Sequence, residues 1–183
     1  MRSSLLFFVV CCLFLVSSTF AQSAIEQKSI ASLRRIFGDT VLITPITVRL
    51  TTAEKDSLAH RSVLKWLTDS INVYICRAKE NVVGYGFVDD VKGKTQFVTY
   101  LTSVRPNGEV QDIDVLAYRE SYGGEIAYES FRKQFRAKTV NDKLRLGNDI
   151  KNISGATISV HAITAGVKKI LTTFQFIHPR LPQ

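Results

Sequence analysis

The chain has 183 residues, a formal net charge of +8 and three cysteines. That length holds one domain, or two small ones, with a real hydrophobic core. With 45% hydrophobic and 22% charged residues, ten Gly and four Pro, it is neither disordered nor collagenous. Three cysteines, two of them adjacent, do not make a disulfide scaffold.

Residues 1–21 read as a secretory signal. Arg2 is a short positive start, Leu5 to Val16 is an unbroken apolar run, and small residues at Thr19 and Ala21 offer a cleavage site after Ala21. The run spans about 18 Å as helix, short of the roughly 30 Å hydrocarbon core. An uncleaved anchor running on through Ala21 is the alternative. Either way the chain is expected to be exported. The exported part keeps one cysteine, Cys76, read as a small buried hydrophobe rather than a reactive thiol. Basic residues are not clustered with aromatics, so nucleic acid is not an expected partner; the positive balance favours anionic ones.

Residues 22–70 form an N-terminal segment, helical and extended. Ile30, Leu33 and Phe37 are spaced for a short helix, and Val41 to Leu50 alternates around Pro45. Thr51 and Glu54 match a capping box, which opens a helix expected to reach about Leu67, with Leu58, Val63 and Trp66 apolar.

The period changes to two from Ile71. Asn72 to Arg77, Val82 to Val88, Thr95 to Val104 and Val110 to Tyr118 read as four antiparallel strands. Asp89 to Lys94 reads as a turn, and Pro106-Asn107-Gly108 is a hairpin signal. Ile126 to Phe135 reads as a short helix, and Leu144, Leu146 and Ile150 suggest a fifth strand. Ala162, Ile163, Gly166, Val167, Ile170, Leu171 and Phe174 recur at helical spacing, and Pro179 ends that helix. The fold class is α+β: an antiparallel meander packed with helices and closed by a C-terminal amphipathic helix. Residues 71–178 would be its functional domain.

Familiar catalytic patterns are absent from this sequence. There is no His-Glu-x-x-His, Cys-x-x-Cys, Gly-x-Ser-x-Gly or Walker loop. Gly84-Tyr85-Gly86 lies inside a strand with no helix after it, so it is not a dinucleotide fingerprint. Asp112 and Asp114 share one strand face and read as solvated.

One segment carries chemistry. Asn152-Ile153-Ser154-Gly155-Ala156-Thr157-Ile158-Ser159 leads directly into the last helix. Unpaired N–H groups and the helix dipole at such a start favour an anion, phosphate above all. Gly155 and Ala156 leave the approach open, and Thr157 presents a hydroxyl there. An ordinary N-cap, with Ser154 or Thr157 satisfying helix donors, is the competing reading.

Ser154-Gly155-Ala156-Thr157, after a strand and before an amphipathic helix, resembles the flavinylation motif of the FMN-binding domain family. That family includes the C subunit of the sodium-pumping NADH:quinone reductase and the G subunit of the Rnf complex. Glu120-Ser121-Tyr122-Gly123-Gly124 resembles the family's Glu-Thr-x-Gly loop, and the likeness covers roughly residues 70–175. Two features depart from the pattern. Lys151 stands where the family commonly has Asp, with Asp149 two residues earlier, and the loop lacks the Pro-Gly-Leu-Gly run.

The resemblance implies FMN joined through its phosphate to Thr157, attached by a flavin transferase that uses FAD and Mg²⁺. It implies an exported electron carrier rather than a stand-alone enzyme, in the periplasm or on the extracellular face of a membrane, with redox partner proteins that are membrane-bound. Ser154, Gly155 and Ala156 complete the motif; Glu120, Ser121, Tyr122 and Gly123 are the ring-side candidates, along with Tyr118. His161, four residues after Thr157 on the same helix face, is a candidate phosphate contact. A non-redox or sensor binding module of the same fold, without covalent flavin, is the alternative function.

Overall fold

The computed structural model describes residues 24–61, 64, 66 and 68–183. The signal segment expected over 1–21 lies outside them, as do Val63 and Leu67. A helix α1 occupies 24–37. Strand β1 follows at Leu42–Arg49, then helix α2 at Thr52–Arg61. The capping box is formed: Thr51 N donates to Glu54 Oε2 at 2.7 Å, and Glu54 N donates to Thr51 Oγ1 at 3.3 Å. Strands β2 (Ser70–Ala78), β3 (Asn81–Lys92), β4 (Phe97–Val104) and β5 (Val110–Ala117) come next. Short 3₁₀ turns flank helix α3 (Glu129–Arg132), and the long helix α4 (Thr157–Ile177) closes the fold.

The five strands form one antiparallel sheet in chain order, β1-β2-β3-β4-β5. The fold is α+β, as the alternation predicts. Helices cover both faces. α4 packs on one face, where Val73, Ile75, Tyr85, Phe87, Val98, Tyr100 and Ile113 join Ile163, Val167, Ile170 and Phe174 in the main core. α1 packs on the other, where Leu33 joins Tyr74, Cys76, Leu101 and Leu116. A sheet covered twice explains why β4 is buried along almost its whole length instead of alternating.

The α1 layer also accounts for Gly84 and Gly86. A Cβ at Gly84 would collide with the edge of the Phe37 ring, and one at Gly86 would stand 2.8 Å from Leu33 Cδ2. Both glycines are seats for α1 side chains. Cys76 is fully buried beside them, and burial pushes its thiol up to about 12. It behaves as the small hydrophobe expected.

Several expectations need correction. The fifth strand is β1, at the sheet edge beside β2, and 144–150 is not a strand. There Leu144 N and Arg145 N donate to the Asp149 carboxylate at 3.0 and 2.8 Å, which curls the segment into a tight loop. Leu146 and Ile150 touch only as an isolated parallel bridge.

Asp89 to Lys92 is strand, not turn. Its carboxylates have partners that hold it in the sheet: Tyr100 Oη donates to Asp89 at 2.9 Å, Thr99 Oγ1 donates to Asp90 at 2.6 Å, and Lys169 pairs with Asp89 at 2.7 Å. Asp112 is buried rather than solvated. Arg132 and Arg136 reach its carboxylate at 3.3 and 3.2 Å, and Arg35 and Ser32 of α1 bind Asp114. The turn helix expected over 126–135 is broken into 3₁₀ and α pieces, with Phe131 and Phe135 fully buried and edge-to-face.

Among the described residues no helix is long and apolar enough to cross a membrane.

Candidate functional site

The sequence motif before α4 folds into a turn. Ala156 N donates to Ile153 O at 3.0 Å, and Gly155 takes φ +85° at the third position of that turn. A side chain is disfavoured at such a φ, and the space where a Cβ would stand is open. Lys151 N donates to Gln134 Oε1 at 2.7 Å, which ties the turn to the segment after α3.

The helix begins at Thr157 with Ala156 as its N-cap. No side chain caps it. Serine and threonine stand within three residues of this start, yet neither satisfies its donors. The ordinary N-cap reading therefore does not hold. The first-turn N–H groups keep their preference for an anion. Thr157 itself is exposed, and its Oγ1 accepts a hydrogen bond from Asn152 Nδ2 at 2.8 Å.

The loop after β5 lies against this turn. Gly123 has φ +92°, and a Cβ there would stand 2.6 Å from the Tyr118 hydroxyl and 3.4 Å from Ala156 Cα. The positive φ and the close Tyr118 hydroxyl together favour glycine there, and Ala156 packs against it at ordinary contact distance. Tyr118 donates its hydroxyl to Tyr122 O and lies 3.1 Å from Ser159 Oγ in the first turn of α4.

Glu120 faces the β3–β4 hairpin. Its Oε1 accepts from Thr95 N at 2.8 Å and Gln96 N at 3.1 Å. The Thr95 N–H, then the Gln96 N–H, hold its carboxyl below the usual range. Glu120 is thus a clasp between the hairpin turn and the loop.

A cleft of about 750 Å³ opens between these pieces. Its walls are Lys94 and Thr95 from the hairpin, Glu120 to Glu125 from the loop, Tyr128, and Gly155 to Ser159 at the helix start. The volume lies within the range of small-molecule sites. Tyr122, Tyr128 and Ile158 are 84%, 63% and 51% exposed, so three large apolar or aromatic side chains stand open around one cavity. This is surface a flat aromatic ligand would cover.

The structure brings Thr157, Gly155, Ala156, Glu120, Ser121, Tyr122 and Gly123 into this one cleft. Ser154 is exposed in the turn and His161 is exposed on α4; neither lines the cleft. Ile158 and Ser159 belong to the segment singled out in sequence but were not expected as site residues. Sequence reasoning missed Lys94, Thr95, Glu125 and Tyr128, which reach the cleft only through the hairpin, the end of the loop and the start of α3. Among the described residues no cluster of His, Cys, Asp or Glu could hold a metal ion.

All the walls of the cleft fall inside one stretch that can be matched to known proteins. Residues 93–172 match the FMN-binding domain family. The resemblance drawn from the motif is therefore shown for that stretch. α1, β1, α2 and β2 lie before it. The G subunit of the proton-translocating ferredoxin:NAD(+) oxidoreductase complex of Clostridium ljungdahlii is 31% identical over 112 residues, which cover 55% of this chain and 60% of that protein. The G subunit of the Na(+)-translocating ferredoxin:NAD(+) oxidoreductase complex of Acetobacterium woodii is 28% identical over 115 residues, covering 57% and 56%. The chain thus spans less than two thirds of the length of either relative.

The cleft fits the ligand of this family. It offers uncapped helix donors for a phosphate, an open Gly155, and exposed aromatic faces for a ring system, all from the matched residues.

Proposed function

We propose that this chain is an exported electron-transfer flavoprotein that carries FMN as a phosphoester on Thr157. The observation that carries this reading is the position of the Thr157 hydroxyl. It is exposed at an uncapped helix start, on the wall of a cleft rimmed by open aromatic side chains.

The chain's own residues divide the work of holding the group. Backbone N–H groups in the first turn of α4 face the phosphate charge, which the helix dipole stabilises by about 0.3–1 kcal/mol. Gly155 leaves the backbone accessible beside Thr157, while Ala156 is buried against the loop at Gly123. Tyr122, Tyr128 and Ile158 give an apolar face for the ring, and Ser121 and Gly123 shape the loop that carries it. Lys94 adds a positive charge at the rim. Glu120 acts at one remove by fixing the hairpin turn. Bound FMN would supply one- and two-electron transfer, and the protein tunes and positions it.

Attachment needs an outside catalyst. The partner at Thr157 Oγ1 is the amide of Asn152, which is no base at neutral pH. A flavin transferase with Mg²⁺ is the expected partner. Thr157 Oγ1 forms a bond to the flavin-side phosphorus of FAD, the pyrophosphate P–O bond breaks, AMP leaves and the hydroxyl proton departs. A covalent tether suits an exported carrier, because a diffusible flavin would be lost outside the cytoplasm.

The apolar run from Leu5 to Val16 supports export to the periplasm or the outer face of a membrane. The relatives are subunits of ion-translocating ferredoxin:NAD(+) oxidoreductase complexes. From this we take the partners to be membrane-bound redox proteins.

The test is co-expression with a flavin transferase. The wild-type chain should turn yellow and stay yellow after denaturation and washing, and Thr157→Ala should be colourless. A colourless wild type under the same conditions would favour a binding module without covalent flavin.

A further inference from the structure

We infer that Asn152 is a positioning residue for the modification of Thr157; the inference rests on the proposal that Thr157 carries FMN. A threonine hydroxyl has one proton to donate and two lone pairs to accept with. In a helix its side chain divides between two rotamers. The Asn152 amide selects one. Nδ2 lies 2.8 Å from Oγ1 and donates to it, within ordinary hydrogen-bond range.

The direction of that bond matters chemically. Asn152 occupies one lone pair and leaves the proton and the second lone pair free. The second lone pair is the one that bonds to phosphorus, and the free proton is the one a base on the transferase removes. An acceptor at position 152 would do the reverse and hold the proton on the chain.

The position of Asn152 is itself fixed. On one side of it Lys151 N is tied to Gln134 Oε1, and on the other the turn closed by Ala156 N and Ile153 O leads into the helix start. Asn152 is exposed, so its amide is not needed to fill the core. In the sequence it opens the segment that leads into α4; its contact with Oγ1 is what gives it this role.

The experiment uses full chains purified without flavin: wild type, Asn152→Ala and Asn152→Asp. Each is mixed with flavin transferase, FAD and Mg²⁺, and FMN attachment is timed by intact mass over a range of chain concentrations. Both variants should melt at the wild-type temperature. Both should show a maximum rate lower by about three- to tenfold, the worth of one hydrogen bond, with the half-saturating chain concentration unchanged. A maximum rate equal to wild type in Asn152→Ala overturns the inference. So does an effect confined to the half-saturating concentration, which would make Asn152 a recognition residue, or a faster Asn152→Asp. A wild-type chain that takes no FMN overturns the Thr157 reading and this inference together. A modified wild type with an unaffected Asn152→Ala removes only the role of Asn152.

Discussion

The Tyr118 hydroxyl lies 3.1 Å from Ser159 Oγ and donates its own proton to the carbonyl of Tyr122. Because that proton is committed, Ser159 must be the donor between the two hydroxyls. One phenol thus joins the end of β5, the loop after it and the first turn of α4. The loop and the helix start are two of the walls of the cleft.

Tyr118→Phe should therefore loosen the site more than the fold. Two hydrogen bonds are lost, a cost of about 1–3 kcal/mol in urea unfolding. Hydrogen exchange should speed up in residues 120–124 and at the start of α4 while the β2–β4 amides stay protected. Uniform acceleration across the sheet would show that Tyr118 belongs to the general core.

Glu120 gives the clasp a pH dependence. Its carboxyl is held below the usual range, chiefly by the Thr95 N–H, so the folded state favours the charged form. Its stabilisation is present at neutral pH and is lost as pH falls through the folded value. Glu120→Gln should be less stable than wild type at pH 7, and the gap should close below the ordinary carboxylate range. A gap that persists unchanged at pH 3 would contradict this. Chemical denaturation across pH 3–7 is the measurement.

How far the sequence could be read is clear from particular residues. The apolar spacing in α4 is legible because its stripe packs on the sheet while Thr164, Thr172 and Thr173 satisfy their own hydroxyls on i−4 carbonyls. The Asn107-Gly108 turn is legible because Gly108 adopts φ +87° there. β1 is ambiguous in sequence because Pro45 and an exposed Leu42 weaken its pattern, as an edge strand allows.

Asp89 and Asp90 look like turn residues in sequence because their partners, Tyr100, Thr99 and Lys169, are supplied by β4 and α4. In the same way the burial of Asp112 needs arginines from α1 and from the segment around α3. The cleft is half legible. Its motif residues stand together in the chain, but Tyr128 and Lys94 reach it only once the hairpin and the α3 segment are folded beside α4.

The buried partner of Asp89 supplies a further stability test. Lys169 is buried, pairs with Asp89 at 2.7 Å, and lies over the Trp66 ring at 4.2 Å. Lys169→Met leaves the Asp89 carboxylate without its cation and should cost about 3–5 kcal/mol. Asp89→Asn combined with Lys169→Met should recover much of that loss. A double variant as weak as the sum of the singles would show that the two groups do not act as a pair.

Gly166 sets the distance between α4 and the sheet. A Cβ there would collide with the Tyr100 hydroxyl and stand 2.8 Å from Val91 Cγ1. Tyr100 is fully buried and bonded to Asp89, so it has no room to withdraw. Gly166→Ala should destabilise by about 1–3 kcal/mol through overpacking. At Gly84 the obstacle is the half-buried Phe37 ring, which can swing out. Gly84→Ala should therefore free Phe37, read as new proteolysis in α1, with a smaller loss of stability than at Gly166.

Peptide mapping of the chain after treatment with flavin transferase, FAD and Mg²⁺ tests the central claim most directly. The account predicts a single adduct with the mass of FMN less water, on the peptide containing Ser154 to Thr157 and localised by fragmentation to Thr157. An adduct on any other residue, or a chain that emerges unmodified, would contradict it.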